Sequence, residues 1–411
     1  MSFTSSRGGA TNRGTGQFLN FVTTNPPLPP RPTPTPGKLY VAGQNSSGEL
    51  GLANTIQQRY IVQVGTANNW LTGSELGLYS AEGYLHMIKS DNTLWASGNN
   101  AYYQLGFGNT TNVTSFTQVG TANNWAWVTK GSENTEGSFA ITTTGDLYSW
   151  GYNYNASLGQ SNLGKILTST WQSTYRANIT TPTYVTSNVI KTVQMYNSTA
   201  ILKNDGTIWT CGMNQFGQLG YGITDTSSYT YPSFSQESTY KNNWIDIAPG
   251  QDGFFAINTI GDIYYTGGPY GNTPSPVYAN SFIKSDNQPT PATYISGGYH
   301  TAIYIDNNTD MYGLGVALSI GPGYGPWWPV DETSWTSSGY QAIKIQVPAY
   351  SSVRLTNSNE LYAAGFGAIA QGIGLFGPSS TPLASLVKIG TTQTWQSFGF
   401  SDHMAWYISS T

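Results

Sequence analysis

The chain has 411 residues, of which 14% are aromatic and only 9% charged, with 48 glycines, one cysteine and a formal net charge of −4. So little charge beside so much Gly and aromatic excludes a protein of long helices and points to short strands joined by tight turns. Scattered Lys and Arg leave no footprint for nucleic acid or an anionic membrane, and one cysteine excludes an internal disulfide framework.

Residues 1–37 differ from all that follows. Met1 to Gly16 is small and polar, and a brief apolar cluster then gathers Phe18, Leu19, Phe21 and Val22. The stretch NPPLPPRPTPTPG follows, whose prolines favour an extended polyproline II spacer. No apolar run reaches the length of a signal peptide or a membrane-crossing helix, so a soluble chain made in a cytoplasm is expected. A Pro-rich segment without a core of its own is ordered only where its own fold or a partner holds it, and a partner is preferred. The chain thus divides into a docking segment (1–24), a Pro-rich linker (25–37) and a repeat domain (38–411).

From Lys38 one phrase recurs, a short strand ending in glycine. Its copies are Leu39 to Gly43, Leu94 to Gly98, Leu147 to Gly151, Ile208 to Gly212, Ile263 to Gly267, Met311 to Gly315 and Leu361 to Gly365. The glycines fall roughly fifty to sixty residues apart, a spacing that signals a propeller or similar array. Upstream of each copy lies a second strand. The two are joined by turn residues such as Asp91-Asn92, Gly145-Asp146 and Asp205-Gly206, so each pair reads as a β-hairpin. Trp70, Trp125, Trp244 and Trp395 open four of the units, two of them in the phrase VGTANNW.

The chain ends on an upstream strand with no downstream element, and the first copy is a downstream element with no upstream strand. Joining Met404 to Ile408 with Leu39 to Gly43 completes a seventh blade. The predicted fold is therefore all-β, a closed seven-bladed β-propeller carrying an extended N-terminal tail. Closure removes the long unpaired strand edges that invite aggregation.

Leu94-Trp95-x-x-Gly98-Asn99-Asn100-x-x-x-Gln104-Leu105-Gly106-x-Gly108 resembles the regulator-of-chromosome-condensation repeat, as does Ile208-Trp209-x-x-Gly212-x-Asn214-x-x-Gly217-Gln218-Leu219-Gly220-x-Gly222. The resemblance spans about residues 38 to 408 and thins in the last three repeats. It implies seven blades of four strands. Its founding member is an exchange factor with a basic chromatin-binding tail, whereas here the tail has only Arg7, Arg13 and Arg31. The phrasing is also similar to copies carried by tailed bacteriophages. A virion setting is expected from that similarity and from the tail, by analogy alone.

Candidate chemistry is sparse. His86, His300 and His403 stand at what reads as one repeat position, and a turn-stabilising role is preferred to a catalytic one. Cys211 fills the small-residue slot before Gly212 and reads as a buried strand residue. Asp306 and Asp310 could ligate calcium, but they also read as a hairpin turn, the preferred reading. Gly159 to Lys165 matches most of a phosphate-binding loop, yet lacks the final Ser or Thr and belongs to the repeat's own Leu-Gly. No catalytic, cofactor or metal residue is nominated.

Surface remains. GPGYGPWWP offers Tyr324, Trp327 and Trp328, and an insertion over Ile223 to Tyr240 offers Tyr229 and Tyr231. Tyr, Ser, Gly and Asn on a rigid frame make adaptable binding surfaces. The function expected is non-enzymatic: a virion structural or decoration protein docked to other virion proteins through Phe18, Leu19, Phe21 and Val22. It would present a host-surface or protein ligand with the propeller, without nucleic acid or membrane insertion. The alternative is a free inhibitor or lectin-like propeller.

Overall fold

The computed structural model describes residues 35–73, 83–130, 137–160, 178–195, 197–224, 230–250, 252–268, 278–298, 301–315, 336–347, 351–365, 383–390, 393–400 and 404–409. They form seven four-stranded antiparallel sheets, the blades of a β-propeller. Blade 2 shows the plan, with Trp70–Gly73, Tyr84–Lys89, Leu94–Gly98 and Val113–Gln118 side by side in chain order. Blades 3 to 7 repeat it, beginning at Trp125, Val189, Trp244, Ala292 and Lys344. Both faces of a blade meet a neighbour, so second strands such as Gly137–Thr142 and Phe254–Asn258 are buried along their whole length. That is why they read as continuous rather than alternating apolar runs.

Blade 1 is assembled from both ends of the chain. Its order is Gln58–Gln63, Lys38–Gly43, Met404–Ser409, Trp395–Phe400, and pairing runs unbroken from Lys38↔Ser409 to Gly43↔Met404. The expected clasp is present. Leu39, Val41, Trp406 and Ile408 bury it against Leu85 and Met87 of blade 2.

Two local devices explain the repeated phrase. The terminal glycines sit at positive φ (Gly98 at 109°, Gly212 at 105°), where a Cβ would overlap the carbonyl oxygens of Gly83 and Asn197. Those carbonyls accept the N–H groups of Asn99 and Met213, fixing the exit from the third strand. In the hairpin turns, Asp91 Oδ1 accepts the Thr93 hydroxyl at 2.6 Å, and Thr93 Oγ1 accepts Trp95 Nε1–H at 2.7 Å. Asp205, Thr207 and Trp209 repeat the relay. The Thr93 hydroxyl holds the Asp91 carboxyl below the usual carboxylate range.

Each turn is also a joint between blades. The carbonyls of Asn92, Gly145, Gly206, Gly261, Thr309 and Asn359 accept the N–H groups of Trp125, Val189, Trp244, Ala292, Ala342 and Trp395, which stand at or just before the start of the next blade, at 2.9–3.0 Å. The seventh such carbonyl is Gly37, bonded to Trp70 N–H at 3.1 Å. It takes the turn position although no peptide links it to Ser409. Nearer the axis, Lys191 of blade 4 pairs with Asp246 of blade 5 at 2.6 Å, and Asp246 Oδ2 accepts Ile295 N–H of blade 6 at 3.3 Å. The Tyr294 hydroxyl donates to the Ile345 carbonyl of blade 7 at 3.1 Å.

Strand alternation gives the disc two faces. The turn face carries the hairpin turns and the links between blades. The insertion face carries the segments that follow first and third strands. Gly37 and Ser409 both lie on the turn face, so residues 1–36 join the propeller there.

Candidate interaction surface

On the insertion face, the described segments after the third strands of blades 1 to 4 share one anchor. Asn45, Asn100, Asn153 and Asn214 are buried, and each Oδ1 accepts the N–H of the leucine five residues on, at 2.9–3.0 Å. Those leucines (Leu50, Leu105, Leu158, Leu219) are fully buried. The Nδ2 groups of Asn45, Asn100 and Asn214 donate onward to the carbonyls of Asn54, Asn109 and Ile223. Side-chain oxygens of Glu49, Gln104 and Gln218 accept the N–H groups of Ser47, Tyr102 and Phe216, each at 2.8 Å. The main-chain carbonyls at Glu49, Gln104, Ser157 and Gln218 accept hydroxyls of the next blade, from Ser97, Ser138, Thr199 and Thr266. The Asn…Gln-Leu-Gly motif is thus a latch between blades. The copy at Asn45…Glu49-Leu50-Gly51 was not singled out in the sequence, because Glu replaces Gln; the unchanged spacing was the signal available.

The latch segments of blades 1, 2 and 4 also bond the outer edge of the following blade. Ala53 N–H bonds the Thr114 carbonyl at 2.8 Å, Gly108 that of Thr180 at 2.9 Å, and Gly222 that of Asn280 at 2.7 Å. Edge strands capped in this way are closed to strand addition. Above the latches aromatic rings meet across blade boundaries. Tyr102 and Tyr152 lie 5.1 Å apart with planes at 34°, and Phe216 stacks on Tyr278 at 5.2 Å and 22°. Tyr102 is 41% and Tyr278 39% exposed. Between the pairs, Asn155 Nδ2 donates to Met213 Sδ at 3.0 Å.

Of the nominated loop residues only Tyr231 is described. It is not on an insertion: it lies in the fourth strand of blade 4, Thr230–Gln236, opposite Gly212, and packs edge-on to Tyr221 at 5.1 Å. Burial pushes the Tyr221 phenol up to about 12 while its hydroxyl donates to the Thr210 carbonyl at 2.5 Å. The Ser and Tyr content of Ile223 to Tyr240 hid a strand because Thr230 to Gln236 alternates like any half-buried edge. Tyr229, Tyr324, Trp327 and Trp328 lie outside the described residues, as do the tail residues Phe18, Leu19, Phe21 and Val22.

The histidine reading needs correction. His86 pairs with Ala96 inside the second strand of blade 2, fully buried between the rings of Tyr84 and Trp150 at 5.6 and 5.3 Å. It is a packing residue between blades, not a turn residue. Register also separates the three: Thr301 and Met404 pair with terminal glycines as Tyr84 does, so His300 and His403 align with Gly83. His300 and His403 themselves fall outside the described residues. Asp306 Oδ1 accepts the N–H groups of Asn308 and Asp310 at 2.8 and 2.9 Å, the hairpin-turn role. Cys211 is buried with its thiol pKa pushed up by burial, and Sγ lies 3.6 Å from the Ser157 carbonyl. Gly159, at positive φ, packs under Phe234 as part of a latch.

Comparison with known proteins agrees with this geometry. Residues 205–257 match the regulator of chromosome condensation (RCC1) repeat, from the third strand of blade 4 to the second strand of blade 5. The sequence repeat is therefore phased across two blades, which leaves half a blade at each end of the chain. Human WBSCR16 superposes with a TM-score of 0.73 at 16% identity, covering 91% of this chain and 100% of its own. Yeast RCC1 (Prp20), in its complex with Kap60, gives 0.72 at 15% identity, covering 100% and 97%. Prp20p of Saccharomyces cerevisiae in a second structure gives 0.70 at 15% identity, covering 93% and 92%. Fold and repeat together define an RCC1-like repeat propeller.

Proposed function

We propose that this propeller is a non-catalytic binding scaffold, held to a larger assembly by residues 1–34 and presenting its insertion face to a partner. The observation that carries this reading is the placement of Gly37 on the turn face, opposite the latch segments and their aromatic pairs. A tail leaving one face can be fixed while the other stays open. Yeast Prp20 is seen bound to Kap60, and Prp20p is described with binding to Gsp1p and histones, so proteins that contain this fold form complexes with other proteins. At 15% identity the general binding role carries over to this proposal and the partners do not.

The assembly we propose is a virus particle, with Phe18, Leu19, Phe21 and Val22 as the anchor and the prolines as standoff. Its support is the sequence likeness to tailed-phage copies and the tail's composition. Deleting residues 1–34, which spares Gly37, should leave a folded propeller that no longer co-purifies with the particle. Continued incorporation overturns the anchored role. A free binding module is the second reading, favoured by the aromatic pairs on the insertion face. It requires the tail-deleted chain to retain its partner and to lose it in Trp327→Ala with Trp328→Ala.

A further inference from the structure

Every third strand carries an aromatic residue near its turn end, and nearly all of these rings take a cation or a second ring against the face. Lys89, Lys203 and Lys241 stand over Trp95, Trp209 and Tyr264, 3.5, 4.4 and 3.9 Å from the ring centres, and Arg354 stands over Tyr362 at 5.1 Å. Tyr184 meets Tyr148 edge-on at 5.9 Å, and Tyr304 stacks on Tyr312 at 4.9 Å. Tyr40 of blade 1 is the exception. It is half-buried beside Trp395, and among the described residues no cation lies over it. The second strand of its blade supplies none, because Ser409 stands opposite Trp395 where Lys89 stands opposite Trp70. Lys388, at the outer edge of blade 7, is engaged by Glu360.

We infer that the guanidinium of Arg31, from the chain's own tail, seats on the Tyr40 ring. Upstream of Gly37, Arg31 is the first residue that carries either a cation or a ring, and residues 1–37 hold no carboxylate to compete for it. Gly37 is pinned at this edge by two backbone hydrogen bonds to Trp70, at 2.8 and 3.1 Å. Tyr40 lies about 10 Å from Gly37 along its strand. At a polyproline rise of about 3.1 Å per residue, Arg31 falls within about 19 Å of Gly37, so a tail laid back along blade 1 brings the long arginine side chain to the ring. A guanidinium is planar and weakly hydrated, which favours an aromatic face over water. The tether makes the contact intramolecular, so a modest attraction suffices. This contact fixes the direction in which the tail leaves the propeller and spares Pro26 to Pro30 as the standoff. It belongs to the free chain, so its failure and a failure of particle docking are separately readable.

The test is double electron–electron resonance on the full chain, with nitroxides at Thr33→Cys and at Asn357→Cys. Asn357 is exposed in the hairpin turn of blade 7, the blade against which Tyr40 packs. The native Cys211 is buried and stays unlabelled. A narrow distance population is expected. Arg31→Gln and Tyr40→Leu should each reduce it about two- to fivefold, the worth of one exposed cation–π contact. The two together should reduce it no further than either alone, while Arg31→Lys and Tyr40→Phe keep most of it. Arg31→Gln lies outside the propeller and stays interpretable even if Tyr40→Leu lowers the melting temperature. A single broad distribution in the parent chain overturns the inference. So does a narrow population that survives Arg31→Gln, or one that survives Tyr40→Leu, the mark of pairing with a carboxylate instead. Loss in Lys38→Gln but not in Arg31→Gln overturns it as well, by assigning the ring to Lys38.

Discussion

The rings of Tyr40 and Trp395 meet edge to face, with centroids 5.6 Å apart and planes at 90°, although they lie near opposite ends of the chain. The same first-to-third-strand pair holds blades made from continuous chain, Trp125 on Tyr148 at 5.2 Å and 82° and Trp244 on Tyr264 at 5.1 Å and 84°. The seam is an ordinary blade interior whose covalent link happens to be absent. Tyr40→Ala and Trp395→Ala should therefore show a coupling energy of about 1 kcal/mol in a double-mutant cycle of urea denaturation. The cycle for Tyr148 and Trp125 should match it, and strictly additive losses at the seam would contradict the equivalence.

Glycine is required at some repeat positions for space and at others only for backbone angle. Gly212→Ala would drive a Cβ into the Asn197 carbonyl at a φ of 105°, with a cost of about 2 kcal/mol or more. Gly65 also has positive φ, 56°, but nothing stands within 4 Å of its missing Cβ. Gly65→Asn should lower the melting temperature far less than Gly212→Ala, which calorimetry of the two variants can decide.

Lys191 and Asp246 form a largely buried pair, with side chains 11% and 12% exposed. Removing one partner strands a buried charge, so Asp246→Leu should destabilise by about 3–5 kcal/mol. Lys191→Met combined with Asp246→Leu should recover part of that loss, since no charge is then stranded, although the Ile247 and Ile295 N–H groups still lose the carboxylate. Equilibrium unfolding of the single and double variants reads the sign directly.

Alkaline pH should act through buried phenols. Burial raises Tyr221 and Tyr304 to about 12 and pushes Tyr407 up further still. The unfolded chain ionises these groups near the ordinary tyrosine value of about 10 and the native chain later. Above that value the unfolded state holds fewer protons, so stability is intact below pH ~10 and falls as pH rises through about 10 to 12. Tyr407→Phe should flatten this limb without loss at neutral pH, because its hydroxyl is buried with no hydrogen-bond partner among the described residues. Melting temperatures across that pH range provide the measurement.

Repetition made the architecture legible: seven strand-glycine phrases and the mismatched ends were enough to count blades and locate the seam. Chemistry was harder to read where register matters. His86, His300 and His403 read as one repeat position before the hairpin, yet pairing with Ala96 places His86 inside a strand. Tyr231 looked like an insertion because Tyr and Ser suit loops and exposed edge strands alike.

What the sequence alone determined is what a local pattern can encode: strand, turn, positive-φ glycine and the period that closes a ring. What only the tertiary structure decided is every relationship between blades. Among these are the latch carbonyls, the joint at Gly37 and the facing of Tyr102 on Tyr152. Those depend on which residues of distant strands arrive at the same height. Height is set by bulges and pairing register, not by any spacing along the chain.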